Sequence, residues 1–274
     1  MTVDEDEARV KKYLQAKIAG GICLALSGGV DSTLLLHYLA RLRQNNEVVL
    51  AVTFETVLHP GKEHELAQSL ARDYGIEHVL INKDVLSDPK MRFNPVNRCY
   101  LCKKKLFVHL KELAQKAGIS WILDGTNADD LLEYRPGIQA LRELEIASPW
   151  AELGIGKDQI RDLAQKVNLP VASRPAAPCM ATRFAYGAEL KADIIRKLHE
   201  GENSIKALGI SVVRLRYYDG LIRIEVMPDD FARLIKYRND IVALFKKLGF
   251  MYITLDMEGF RSGSMDIAEH AQMR

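Results

Sequence analysis

Ile22-Cys23-Leu24-Ala25-Leu26 runs directly into Ser27-Gly28-Gly29-Val30-Asp31-Ser32 and then into Thr33-Leu34-Leu35-Leu36-His37-Tyr38-Leu39. A short apolar run, a glycine turn and a helix-like apolar run follow one another without a gap, which predicts a buried strand, a tight loop and a helix N-terminus. Unpaired N–H groups and the positive end of the helix dipole meet at such a loop and gather anions. Two glycines let the backbone come close to a ligand, Ser27 and Ser32 supply hydroxyls, and Asp31 supplies a carboxylate suited to magnesium. A Walker loop would need Gly-Lys-Ser/Thr, which this turn lacks and Gly61-Lys62-Glu63 does not replace. The predicted ligand is a polyphosphate held by hydroxyls, backbone and a metal-binding aspartate.

Outward from that turn, strand-like runs at Ile22–Leu26, Val48–Thr53, Val79–Ile81 and Trp121–Leu123 alternate with helical runs at Asp31–Arg43, Glu63–Tyr74, Cys99–Lys116 and Lys157–Val167. Alternation of this kind builds a parallel sheet with helices on both faces. Gly75 and Gly118 mark helix stops. Residues 172–188 hold Pro175, Pro178 and Gly187 with little periodicity and read as a connecting loop between residues 1–171 and residues 189–274. The rhythm then changes to a helix at Lys191–Leu208, strands at Val212–Tyr217 and Leu221–Val226 around Asp219-Gly220, a helix at Asp230–Leu248 and a strand at Met251–Asp256, a small α+β domain.

The 274 residues are 48% apolar, enough for a sizeable core, and 38 basic against 36 acidic side chains give a net charge of +2. That balance argues against the broad cationic surface of a nonspecific nucleic-acid binder. Residues 1–12 are charged rather than apolar, and no apolar stretch approaches the ~18 residues of a membrane span, so a cytoplasmic protein is expected.

Four cysteines in a chain this long do not make a secreted disulfide framework. Cys99 and Cys102 share one face at the start of a helix, where the dipole favours thiolate, and Cys179 lies far along in the proline-rich loop. A zinc site would need a fourth Cys or His; His109 is two turns beyond Cys102, about 10 Å away. A three-cysteine [4Fe-4S] cluster would leave one iron open to sulfide, while a redox Cys-x-x-Cys or unrelated helix cysteines remain the alternatives. Cys23 reads as a small core residue. Arg214 and Arg216 alternate with apolar neighbours, so both project from one strand face and suit a phosphate or carboxylate, or simply a solvated edge. Glu202 and Glu225 are carboxylates that could reach a metal or these arginines, though each taken singly is more often a surface residue.

The Ser27–Ser32 turn resembles the loop of PP-loop ATP pyrophosphatases, with an adenine nucleotide alpha hydrolase-like α/β fold. Asp124-Gly125-Thr126-Asn127-Ala128-Asp129-Asp130 resembles that superfamily's later nucleotide loop. More specific still are Tyr134-Arg135-Pro136-Gly137, Pro175-Ala176-Ala177-Pro178-Cys179, Arg183-Phe184, Tyr186-Gly187, Val213-Arg214-Leu215-Arg216 and Gly259-Phe260-Arg261-Ser262-Gly263-Ser264-Met265. Together these resemble the LarE-type ATP-dependent sulfur transferases over nearly the whole chain.

The resemblance implies a step in making the nickel-pincer nucleotide of lactate racemase. ATP would adenylate a carboxylate of pyridinium-3,5-biscarboxylic acid mononucleotide, pyrophosphate would leave, and sulfur would displace AMP. It implies ATP and Mg2+ at Ser27, Gly28, Gly29, Asp31, Ser32, Gly125, Thr126 and Asp129. It further implies substrate phosphate at Arg214 and Arg216, Arg183 near the reacting carboxylate, and Glu202, Glu225 and Asp230 as weaker metal or substrate contacts. Some members sacrifice the sulfur of the cysteine matching Cys179. This chain adds Cys99 and Cys102 and so resembles the three-cysteine members, in which a [4Fe-4S] cluster is thought to carry an extra sulfide. A sulfide donor and a homo-oligomer are implied as partners. Two competitors stand beside this reading: an iron-sulfur tRNA thiolase, disfavoured by the charge balance, and a non-catalytic sulfur-relay or redox module.

Overall fold

The computed structural model describes residues 2–44, 46–132, 135–174 and 178–265. The chain divides into two compact units. One comprises Met1–Thr56, Gly61–Lys83 and Asn97–Ala177, and the other Val57–Pro60, Asp84–Val96 and Pro178–Arg274. The second unit takes up the chain from Pro178 and also includes two segments of the first half of the sequence, which hydrophobic periodicity does not reveal.

The first unit is built on four parallel strands in the order β3-β2-β1-β4: β1 Ile22–Ala25, β2 Val49–Glu55, β3 Glu77–Asn82 and β4 Trp121–Leu123. Helices Val3–Ile18, Val30–Leu42, Glu63–Asp73 and Lys157–Lys166 cover one face, with Leu14, Leu35, Leu39, Ala67 and Leu163 in a common core. Helices Arg98–Lys116 and Pro136–Glu143 cover the other, where Cys23 packs with Phe107, Leu110 and Leu141. Burial pushes the Cys23 thiol up to about 12, as befits an inert core residue. The Val3–Ile18 helix is absent from the periodicity reading because its first turn is acidic. Thr2 and Glu5 nonetheless form a capping box, and Val10, Leu14 and Ile18 are buried at four-residue spacing.

The second unit carries a three-stranded sheet, β5-β6-β7: β5 Val213–Tyr218, β6 Leu221–Val226 and β7 Tyr252–Leu255. Asp219 and Gly220 both take positive φ (39° and 89°), the demand of a two-residue hairpin turn. That turn fixes the register Arg216↔Arg223 and Arg214↔Glu225, so four charged side chains share one sheet face. The opposite face, with Val213, Leu215, Ile222 and Ile224, is buried. Gly201 of the Ala192–Ala207 helix allows close approach there, since a Cβ would stand 2.8 Å from Leu215 Cδ1 and 2.4 Å from Phe245 Cε1. The expected single helix Asp230–Leu248 is two, Phe231–Lys236 and Arg238–Lys247, parted at Tyr237. Among the described residues no helix is long and apolar enough to cross a membrane.

Candidate active site

Sheet order decides where the first unit's site lies. β1 is flanked by β2 on one side and β4 on the other, so the chain leaves β1 and β4 in opposite directions and a crevice opens at their carboxyl ends. The Ser27–Ser32 turn follows β1 and the Asp124–Asp130 loop follows β4, which brings both predicted nucleotide segments to that crevice.

Ser32 Oγ lies 3.0 Å from Ser27 Oγ, receives Ser27 N–H at 3.1 Å and donates to Gly29 O at 3.3 Å. The hydroxyls therefore tie the two ends of the turn together. Gly28 has φ +74°, and a Cβ there would stand 2.7 Å from Glu63 O, so both conformation and space demand glycine. Gly29 is the N-cap of the Val30–Leu42 helix with no side-chain cap, leaving first-turn N–H groups to a ligand.

Asp31 Oδ2 accepts from Lys157 Nζ at 2.5 Å and Oδ1 from Asn127 Nδ2 at 3.3 Å, while Trp150 Nε1 donates to the Asp31 carbonyl at 3.0 Å. Gly125 packs directly on the turn, for a Cβ there would meet Ser32 N at 3.0 Å. Asp124 is buried and collects four donors: Thr126 N–H and Ser148 Oγ on Oδ1, Thr126 Oγ1 and Lys103 Nζ on Oδ2. Asp129 receives Lys157 N–H at 2.7 Å and so caps the start of the Lys157–Lys166 helix. Lys157, Lys103, Asn127 and Trp150 were not singled out from the sequence. Lys157 stands at a helix start with no motif around it, and its link to Asp31 spans 126 residues.

Magnesium fits this arrangement in its donor chemistry. The ion commonly takes one or two carboxylates plus phosphate oxygens and waters. Asp31 offers a carboxylate whose present partners are a lysine and an amide.

Cys99 is exposed and Cys102 half-buried on the first turns of the Arg98–Lys116 helix. A Cβ on Gly137 would lie 3.1 Å from Lys103 Cδ and 3.5 Å from Cys99 O, which is how the Pro136–Glu143 helix seats against that turn. Tyr100, Lys104 and Glu143 bond to one another across the same two helices, and the Lys104 ammonium draws the Glu143 carboxyl down to about 2. Among the described residues no three His, Cys, Asp or Glu side chains gather as a metal-holding group. The described thiols thus do not by themselves meet the three-ligand requirement of the expected cluster.

In the second unit Cys179 caps the 3-10 turn Met180–Arg183. Arg183 forms a bidentate pair with Glu202, Nε to Oε1 and Nη2 to Oε2, both 2.8 Å, and its Nη1 donates to Thr182 Oγ1 at 2.8 Å. Arg216 donates from Nε and Nη2 to Glu225 Oε2 at 2.9 and 2.7 Å, to Thr182 O at 2.7 Å and to Ser264 Oγ at 2.9 Å. Glu225 reaches Arg216, one of the two contacts open to it from the sequence, and Glu202 reaches Arg183 instead; both carboxylates are buried rather than on the surface, because the hairpin register and the Gly201 approach fold them inward. Arg214 differs: half-buried, it donates to Val213 O at 2.8 Å and stacks on Phe260, 5.3 Å from the ring centroid. Desolvation and the neighbouring Arg183 hold its proton less firmly than usual. Asp230 pairs with Arg233 at 3.8 Å.

Asn94, also missed, is buried in left-handed conformation (φ 43°) and its amide donates to Ala181 O, Phe184 O and Ala185 O, anchoring the segment after Cys179. Tyr134 and residues 175–177 of the expected motifs fall outside the described residues.

The PP-loop domain family matches residues 3–97. The pyridinium-3,5-bisthiocarboxylic acid mononucleotide synthase of Lactiplantibacillus plantarum is 33% identical over 89% of this chain and 88% of its own length. The chain belongs to the LarE-type PP-loop sulfurtransferases. Uncharacterized proteins of Synechocystis sp. (38% identical, 89% of this chain, 91% of the relative) and Methanocaldococcus jannaschii (32%, 93% and 96%) are similar along nearly their whole lengths. As a LarE-type protein it is an ATP-dependent sulfurtransferase, and the crevice at β1 and β4 is where its PP-loop lies.

Proposed function

We propose that this sulfurtransferase inserts sulfur into pyridinium-3,5-biscarboxylic acid mononucleotide, in biosynthesis of the nickel-pincer nucleotide. The observation that carries the reading is likeness, over 89% of this chain and 88% of the relative, to a protein named for the bisthiocarboxylic product. ATP lies along Ser27, Gly28, Gly29 and Ser32 with Gly125, Thr126 and Asp129 beside it, and Asp31 takes magnesium with the phosphates. When bound, the ion and the loop N–H groups offset charge on the departing pyrophosphate. A substrate carboxylate oxygen attacks the α-phosphorus, the α–β bridging bond breaks, and pyrophosphate leaves. Sulfide then attacks the acyl carbon of the adenylate, and the C–O bond to AMP breaks. Carboxylate oxygen alone is a poor leaving group; AMP is a good one.

The substrate phosphate belongs on Arg214, whose guanidinium has donors to spare, with Arg216 behind it. Arg183, clamped on Glu202 and on Thr182, shapes the Cys179 turn facing the reacting carboxylate. The three-cysteine resemblance assigns the sulfur centre to Cys99, Cys102 and Cys179, which would hold a [4Fe-4S] cluster with one iron open to sulfide, although the described thiols do not gather as such a group. That assignment rests on the three-cysteine resemblance and on the paired thiols of the Arg98–Lys116 helix.

Anaerobic protein supplied with ATP, sulfide and the pyridinium mononucleotide is expected to release AMP and pyrophosphate and to yield thiocarboxylate. Thiolation of tRNA in place of the mononucleotide would overturn the substrate. Iron and acid-labile sulfide that vanish in Cys99→Ala support the cluster, whereas colourless protein losing the Cys179 sulfur in turnover assigns the sacrificial route.

A further inference from the structure

Two parts of the first unit meet at Lys103. It follows Cys102 directly and stands four residues after Cys99, so it lies on the helical face that Cys99 shares. Its ammonium reaches Asp124 Oδ2 at 3.0 Å and Thr126 Oγ1 at 3.4 Å. Asp124 begins the loop whose Gly125 packs on Ser32 and whose Asn127 bonds Asp31. A continuous run of contacts therefore leads from the magnesium-binding aspartate, through the nucleotide loop, to the turn that carries the thiols.

Exposure sets what this contact can do. Lys103 is about one-third exposed (32%) while Asp124 is nearly covered (6%), so the carboxylate is fixed by Ser148 and Thr126 and the ammonium is the movable partner. A polyphosphate entering beside Asp31 and Thr126 adds negative charge within the reach of a lysine side chain. An ammonium shared between Asp124 and a phosphate would draw its backbone turn with it. On the other side of the turn, Gly137 comes so close that a Cβ there would crowd Lys103 Cδ at 3.1 Å and touch Cys99 O at 3.5 Å, so the cysteine turn has one close wall and one charged tether.

We propose that Lys103 is a positioning residue that couples nucleotide occupancy to the seat of the Cys99–Cys102 turn, so that this turn is ordered for sulfur delivery only when ATP is in the PP-loop. The proposal rests on the reading of these cysteines as part of the sulfur centre. A thermodynamic link of this kind is reciprocal: ligation at the cysteines would tighten nucleotide binding by the same factor.

Amide hydrogen exchange tests it. The full chain, wild type and Lys103→Met, is measured with and without saturating α,β-methylene-ATP and magnesium, saturation removing any effect of altered affinity. In the wild type the analogue should slow exchange of the 99–106 amides at least about fivefold, the lower end of ordinary coupling. Lys103→Met should keep protection in the Ser27–Ser32 turn and lose it at 99–106, and Lys103→Arg should restore it. Equal protection at 99–106 in Lys103→Met, or none in the wild type while the PP-loop is protected, overturns the coupling. Should Lys103→Met not fold, Lys103→Arg and Gly137→Ala, which crowds the lysine stem and keeps its charge, give the same reading in graded form. Loss of the sulfur-centre reading would show separately, as absent iron and sulfide together with undiminished thiocarboxylate formation by Cys99→Ala.

Discussion

Lys157–Asp31 in the PP-loop unit and Arg216–Glu225 in the second unit are both lysine- or arginine-to-carboxylate pairs at hydrogen-bond distance, yet they are built for different ends. The first joins side chains 29% and 19% exposed through one N–H···O contact. The second joins side chains 5% and 0% exposed through two contacts to one oxygen, with Thr182 O and Ser264 Oγ taking further donors. A half-buried single contact is more readily exchanged for a ligand than a buried fork, which is costly to open once its partners are removed from water. Arg183–Glu202, 3% exposed on each side, belongs with the second kind. The PP-loop unit thus keeps charges available for a nucleotide, and the second unit commits Arg183 and Arg216 to holding a shape, while Arg214 donates only to Val213 O and stacks on Phe260.

Removing Glu225 is the hardest blow to that contrast. Glu225→Ala leaves Arg216 and Arg223 buried or half-buried beside an empty place, and a broken buried pair costs about 3–5 kcal/mol. Urea unfolding should show that loss in the second unit, while nucleotide binding in the PP-loop unit persists. A loss below about 1 kcal/mol would put the pair in the exposed class. Asp31→Ala reverses the pattern. Substrate-dependent release of pyrophosphate should fall roughly a thousandfold, several kcal/mol of lost metal-borne stabilisation, with the unfolding midpoint little moved. Activity within tenfold of wild type would take Asp31 out of the metal site. Arg214→Ala comes next: removing one charge-assisted contact of about 1.5–3 kcal/mol should raise KM for the mononucleotide roughly ten- to a hundredfold with little effect on stability. Should Arg214→Ala destabilise the protein instead, it would join Arg216 as scaffold.

What could be read from the chain follows the same division. The strand-turn-helix at Ile22–Leu42 was legible because apolar periodicity, two glycines and a helix start coincide within about twenty residues, and the helix ends at Gly75 and Gly118 adopt the positive φ (62° and 68°) that made them readable. Arg214 and Arg216 on one face were legible from alternation alone. Their separate fates were not, because they depend on which carboxylate the register brings opposite. That information is nevertheless in Asp219-Gly220: once the turn takes two residues, Glu225 falls across from Arg214 and diagonal to Arg216. The break at Tyr237 has no proline or glycine to announce it. Lys157, Lys103 and Asn94 act through contacts tens of residues away in the chain, where neither spacing nor propensity carries a signal.

The smallest expected effect separates the units by pH. His37 is a buried residue of the Val30–Leu42 helix, where Arg41 Nε donates to its Nε2 at 3.0 Å and Tyr74 OH lies 2.9 Å from its Nδ1. With Nε2 accepting, the ring is neutral and Nδ1 carries the proton toward Tyr74. Desolvation, then Arg41, lowers its pKa below the ordinary value, and desolvation lowers that of His78, which meets Thr53 Oγ1 at 2.8 Å. In the unfolded chain an imidazole takes its proton near ~6.5. Below that pH the unfolded state therefore holds more protons than the folded one, and acid favours unfolding. The stability these rings allow is complete above ~6.5 and declines as the pH falls toward their folded pKa values, by at most about 1.4 kcal/mol per unit of displacement. Arginine stays charged throughout that range, so the forks of the second unit lose no proton from their basic partners. Urea titrations between pH 7.5 and 5 should show the decline in the wild type and a shallower one in His37→Gln, at the level of a kcal/mol. Identical slopes would mean that Arg41 and Tyr74 accommodate the protonated ring, and that the PP-loop unit exchanges partners in its core as freely as at its phosphate turn.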